Sequence, residues 1–237
     1  MTREELKQYI DNCNLSGNLV NENSEIYKTL LDYSQDYTPL LANLLGSVYI
    51  DGLYVKRDQN NKMHLVYYDG EYETLELGDC IDAIDIFAFT PHRMFDTNYE
   101  THEYHPERMN LVSVSGSSVT SIKTLAFQSS SVKEVNFPNV REIGYRCFDD
   151  SRVEHTVFNE LESIPTLAFI NSSLKSFEGK NVKCVSRGAF ASCHNLTHVY
   201  LPSVLATNIQ DIAFYGCWNL HKDNLIIKNN SDAFFRY

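Results

Sequence analysis

One polar stretch carries the residue types best suited to chemistry. Residues 90–110 read TPHRMFDTNYETHEYHPERMN and place His92, Glu100, His102, Glu103, His105 and Glu107 close together. Imidazoles and carboxylates in such a group are the donor set of a divalent metal such as zinc or manganese. A metal centre also needs its ligands fixed by rigid elements and by a second layer of hydrogen bonds. This run has no apolar period that would build such elements. A metal-dependent enzyme or metal-binding protein centred on 92–107 is therefore the alternative reading, not the leading one. The cysteines at 13, 80, 147, 184, 193 and 217 lack C-x-x-C spacing, so reduced thiols are expected. The chain holds no P-loop, no G-x-G-x-x-G, no H-E-x-x-H and no G-x-S-x-G, and those are the short motifs that bring a mechanism with them. No catalytic residue, metal or cofactor is expected.

The elements around that stretch are better defined. From Leu111 onward five units follow the pattern L-x-x-V-x-F-P-x-V-x-x-I-x-x-x-A-F-x-x-S/C, over 111–131, 132–152, 153–173, 174–195 and 196–219. Their Ala-Phe positions are Ala126-Phe127, Cys147-Phe148, Ala168-Phe169, Ala189-Phe190 and Ala213-Phe214, at steps of 21, 21, 21 and 24. Ile122, Ile143, Ile164, Val185 and Ile209 stand four before them. Val119, Val140, Leu161 and Val182 stand seven before, with Val204 or Leu205 in the lengthened last unit. A fixed period of this length marks a solenoid, in which each unit buries its apolar face only against its neighbours.

The alternation in L-x-x-V-x-F turns both last-named residues inward on a short strand. One strand per coil should stack into a concave parallel sheet. The Ile-x-x-x-Ala-Phe half should return in short turns or a second short strand, with the phenylalanines as an internal ladder. Ser130, Ser151, Ser172, Cys193 and Cys217 share a column and read as a small, weakly polar buried ladder. The outward strand residues are the candidate partner-binding set: Glu134, Asn136, His155, Val157, Glu178, His198 and Tyr200. Val157 and Tyr200 stand out because no core faces them, and tyrosine is a good interface anchor. His155 and His198 lie two coils apart, too far for one acid–base pair. Within the insertion at 90–110, Tyr99, His102, Tyr104 and His105 are a second candidate binding set, because insertions in such arrays collect on one face.

Residues 1–47 read as a helical N-terminal cap. Thr2 and Glu5 form a capping box before Leu6, Tyr9 and Ile10. Asn23 or Ser24 could cap a helix with Ile26, Leu30 and Tyr33 on one stripe. Thr38 and Pro39 open a short helix that Gly46 stops. Residues 48–79 read as a β-meander punctuated at Asp51-Gly52, Asp58–Asn61 and Asp69-Gly70. Ile81, Ile84 and Ala88-Phe89 repeat the column spacing, so 75–89 is an incomplete first unit of an array spanning 80–237. Leu225–Ile227 and Ala233-Phe234-Phe235 read as a degenerate capping unit.

These residues resemble the BspA-like leucine-rich repeat. Leu196-Thr-His-Val199-Tyr-Leu201-Pro202, Val132-Lys-Glu-Val135-Asn-Phe137-Pro138 and Ala189-Phe190-Ala-Ser-Cys193 carry the likeness. The resemblance implies an α/β repeat solenoid, used in that family mostly as a binding surface on bacterial and protist cells and in some viruses. It brings no catalytic residue.

Charge narrows the partner. The 237 residues hold 20 Lys+Arg against 31 Asp+Glu, a formal net charge of −11. That excess disfavours nucleic acid and anionic membrane surfaces, which need a cationic footprint. No apolar run reaches the ~20 residues of a membrane span. The charged start lacks a signal-peptide h-region, so a cytoplasmic location is expected. The chain thus reads as a non-catalytic module that binds another protein, as an inhibitor or adaptor of a host or cellular factor, a viral origin included.

Overall fold

The computed structural model describes residues 2–28, 38–91 and 110–228. Three apolar runs separated by turn residues start its sheets. β1 (Val48–Ile50), β2 (Leu53–Arg57) and β3 (Met63–Tyr68) pair antiparallel. Asp51 and Gly52 both take positive φ, 49° and 82°, as a two-residue primed hairpin turn requires. The next turn is closed by Asp58, whose Oδ1 accepts from the backbone N–H groups of Asn60 and Lys62.

α1 (Arg3–Ser16) begins with the capping box. Thr2 Oγ1 accepts from the Glu5 N–H, and the Thr2 N–H donates to Glu5 Oε2. Gly17 ends it at φ 71°. Leu6 and Ile10 are buried in the main core, whereas Tyr9, expected on the same stripe, is 40% exposed. α2 (Thr38–Leu44) includes Thr38 as its first residue, one position earlier than the capping pattern suggests. Its Leu40, Leu41 and Leu44 join Tyr54, Val66 and Tyr67 in a second, smaller core.

β4 (Thr74–Glu76) leaves the meander and opens a parallel sheet. Its partner is β6 (Ser113–Ser115), which pairs with β8 (Glu134–Asn136) and then β10 (His155–Val157). β12 (Ser176–Glu178), β14 (His198–Leu201) and β15 (Leu225–Ile227) form a second parallel ladder. The two-residue strands β5 (Ala83–Ile84), β7 (Ser121–Ile122) and β9 (Glu142–Ile143) make another row, which β3 joins in parallel. Among the described residues β11 (Ser163–Ile164) pairs only with β13 (Cys184–Val185). Pro165 explains the gap between β9 and β11. The Lys123 N–H donates back to the Ile84 carbonyl and the Ser186 N–H to Ile164, but proline has no N–H to give at the same column.

The two long-strand ladders meet between β10 and β12, where side-chain volume alternates. Thr156 and Phe158 occupy the inward positions of one unit, Phe177 and Gly179 those of the next. A Cβ on Gly179 would lie 2.6 Å from Val182 Cγ2, so this coil has no room for a second large inward residue.

Six phenylalanine rings run through the coils. Phe89–Phe127, Phe127–Phe148, Phe148–Phe169, Phe169–Phe190 and Phe190–Phe214 all stack, with centroids 4.5, 5.0, 5.0, 5.3 and 5.3 Å apart. The alanine or cysteine before each of the last five rings is at most 3% exposed, because the next coil lies against it. Beside the ladder, Ser151 Oγ donates to the Phe148 carbonyl, Cys193 Sγ to Phe169 and Cys217 Sγ to Phe190. All six cysteines carry free thiols, and burial pushes those of Cys147 and Cys193 up.

Candidate partner-binding face

The period-2 alternation sends every second strand residue out of the coil. Register then lines these residues up. Thr74, Ser113, Glu134 and His155 form one row, and Glu76, Ser115, Asn136 and Val157 the row beside it. In the second ladder Ser176 faces His198, and Glu178, Tyr200 and Ile226 continue in line. Between them Val114, Val135, Phe177, Val199 and Leu225 are each at most 2% exposed. The strands are therefore clamped from behind, and the outward side chains stand on a rigid support.

All seven strand residues named from the sequence are exposed on this face. Val157 is 42% and Tyr200 39% exposed. Ile226, 49% exposed, extends the apolar set beside Tyr200 and was not singled out from the sequence. The signal was present: Leu225 and Ile227 face in, so the residue between them faces out. Glu76 and Thr74 also belong to the face through β4.

Its electrostatics are acidic and only partly neutralised. Glu178 Oε1 lies 3.1 Å from Lys180 Nζ. At the turn leading into the strands, Lys175 pairs with Glu154, and its hydrogen bond holds the Glu154 carboxyl below the usual carboxylate value. The strands themselves present Glu76, Glu134 and Glu178 outward and no lysine or arginine. Thr197 Oγ1 and His198 Nδ1 are 2.9 Å apart, which fixes that imidazole at the edge of the face.

The insertion set, Tyr99, His102, Tyr104 and His105, lies outside the described residues, as do His92, Glu100, Glu103 and Glu107. Leu30, Tyr33 and Ala233-Phe234-Phe235 lie outside them too. Among the described residues no three His, Cys, Asp or Glu side chains gather into a metal-binding group, and no helix is long and apolar enough to cross a membrane.

Stacked parallel coils with a rigid, outward-facing strand row define a leucine-rich repeat, a class that serves in general as a protein-interaction module. The family model for the BspA-type leucine-rich repeat region, in six copies, matches residues 103–230, more than half of the chain. The chain belongs to that family. A leucine-rich repeat protein from Bacteroides ovatus is similar in structure, with TM-score 0.56 at 18% identity, covering 73% of this chain and 45% of the other. One from Eubacterium ventriosum gives TM-score 0.50 at 18% identity, covering 76% and 49%. The chain thus spans about half the length of each of these relatives. No curated protein matches the sequence.

Proposed function

We propose that this chain is a non-catalytic binding module that holds a partner protein on its outward strand face, with the insertion at 90–110 as a second contact, and acts as an adaptor or inhibitor of that partner. One observation carries the reading. Val157, Tyr200 and Ile226 stand exposed on strands whose other outward residues are polar. Exposed apolar groups on a rigid polar support are what an interface anchor looks like before its partner arrives. The three outward glutamates, without a lysine or arginine on the strands, favour a partner that presents basic groups around its apolar contact.

Affinity capture from a lysate of the source cells tests this. The wild-type chain is compared with a folded variant carrying Glu134→Ala, His155→Ala, Val157→Ser and Tyr200→Ser. A protein held by the wild type and lost by the variant supports the strand face. One held equally by both moves the contact to the insertion or the N-terminal helices. The alternative, a metal-dependent enzyme, requires stoichiometric zinc or manganese that His102→Ala and His105→Ala remove.

A further inference from the structure

Three rows of backbone hydrogen bonds hold neighbouring coils together, and two of them break on opposite sides of one coil. The unbroken row belongs to the ladder. The N–H groups of Phe89, Phe127, Phe148, Phe169 and Phe190 donate to the carbonyls of Ala126, Cys147, Ala168, Ala189 and Ala213, at 2.8, 2.8, 2.7, 2.8 and 2.8 Å. The long-strand row stops between β10 and β12, and the two-residue row stops between β9 and β11. Coil 153–173 lies between the two breaks. β10 ties it to the coil before and β11 to the coil after, so each of its junctions is held by two rows where the others have three.

The flanking bonds are missing with the ladders. Beside the two-residue row, the N–H groups of Thr120, Arg141 and Lys183 donate back to the carbonyls of Asp82, Thr120 and Glu162 at 2.9, 2.9 and 2.8 Å. Among the described residues Glu162 makes no such bond to Arg141, so the loss at Pro165 extends to the other end of β11. Beside the long strands, Gly116, Phe137 and Gly179 donate forward to Asn136, Val157 and Tyr200 at 3.1, 3.2 and 2.9 Å, and Phe158 makes no such bond to Glu178. The seam between β10 and β12 is crossed where the strands begin: the Lys175 N–H donates to the Glu154 carbonyl at 3.1 Å, and the two side chains pair. Packing marks the same seam. Thr156, the centre of β10, is half-buried, whereas Val114, Val135, Phe177 and Val199 in that column are at most 2% exposed.

We infer that coil 153–173 is a flexing joint of the solenoid. At its second junction the two-residue row and the phenylalanine row hold. The coils turn about the line through those two rows, and the seam in the strand face opens and closes. The face is thus two plates, one of β4, β6, β8 and β10 and one of β12, β14 and β15. Val157 stands on the first, Tyr200 and Ile226 on the second, so the joint sets the spacing between the exposed apolar groups. Hinge motions of this kind run in microseconds to milliseconds. A partner touching both plates selects one seam width; this consequence alone rests on the proposed binding.

The joint is tested on the unliganded chain, so the result is independent of whether the face binds a protein. Residue-resolved amide exchange compares three equivalent positions: Glu154 donates to Lys133 at 2.8 Å, Lys175 to Glu154 at 3.1 Å and Thr197 to Lys175 at 2.9 Å. Lys175, at the seam, should be protected about tenfold less than Glu154 and Thr197, while Phe148 and Phe169 stay protected. Spin labels supply a second measurement, with Cys13, Cys80 and Cys184 replaced by serine. Glu76 with Val157 and Asn136 with Tyr200 are each three strands apart in one row, and only the second pair spans the seam. The distance distribution should be about twofold wider for the second pair. Equal protection of the three amides overturns the inference, and so do equal widths for the two label pairs.

Discussion

Phe169 is the position at which the ring ladder can be tested most severely. It is fully buried and stacked between Phe148 and Phe190, at 5.0 and 5.3 Å with planes 1° and 5° apart, and Phe177 meets it edge-on at 5.5 Å. Phe169→Ala removes about 1.5–3 kcal/mol of transfer free energy. It also leaves a ring-sized cavity between two coils that their backbone hydrogen bonds keep from collapsing. Buried Phe→Ala changes cost roughly 3–5 kcal/mol in total. In a chain of this size that is a fall in Tm of about 6–20 °C. Phe214→Ala is the internal control, because that ring is half-buried with one stacked neighbour among the described residues. It should cost less than half as much. Urea unfolding followed by circular dichroism, with the m-value checked for constancy, gives both numbers. A Phe169→Ala cost below about 1 kcal/mol, or one no larger than that of Phe214→Ala, would refute the ladder as the main stabiliser.

Other outcomes follow from the same packing. His64 Nδ1 lies 2.8 Å from Asp85 Oδ1 and its Nε2 3.5 Å from Asp58 Oδ2, and the hydrogen bond to Asp85 raises the His64 pKa. A raised folded-state pKa means stability that is fully present below the unfolded histidine value and fades as pH rises through the folded one. The urea midpoint gap between wild type and His64→Gln should therefore be larger at acid pH than at alkaline pH; a gap independent of pH would refute the linkage. Gly144→Ala should be strongly destabilising, since its Cβ would sit 2.2 Å from the Thr124 nitrogen. Gly78→Ala, at φ 57° with nothing within 4 Å, should cost only about 1 kcal/mol; thermal melts compare the two. Pro165→Ala supplies the missing N–H opposite Ile143, and its amide should show hydrogen-exchange protection if the β9–β11 gap arises from the proline.

The columns of the repeat were plain in the sequence because each is enforced by burial: Ile, Ala and Phe recur where the next coil covers them. The hairpin at Asp51-Gly52 was legible for a different reason, since few residue pairs accept two positive φ values. Two features were not legible. Leu125, Arg146 and Leu167 hold left-handed backbone without being glycine or asparagine, and their N–H groups donate to the Tyr145, Thr166 and Arg187 carbonyls of the next coil, so no turn chemistry announced these junctions. The break between β9 and β11 turns on one absent N–H at Pro165. On the candidate face the outward set followed from alternation alone, and Ile226 was overlooked because its unit departs from the repeat spacing.

The most direct test of the strand face is a calorimetric titration of the captured partner against wild type, Tyr200→Ala and Ile226→Ser. Loss of a central apolar anchor costs roughly 2 kcal/mol or more, so Tyr200→Ala should weaken Kd at least tenfold, and Ile226→Ser should weaken it measurably. Added salt should weaken the wild-type complex further if basic groups of the partner meet Glu76 and Glu134. An unchanged Kd for both folded variants would contradict the account and place the partner elsewhere on the chain.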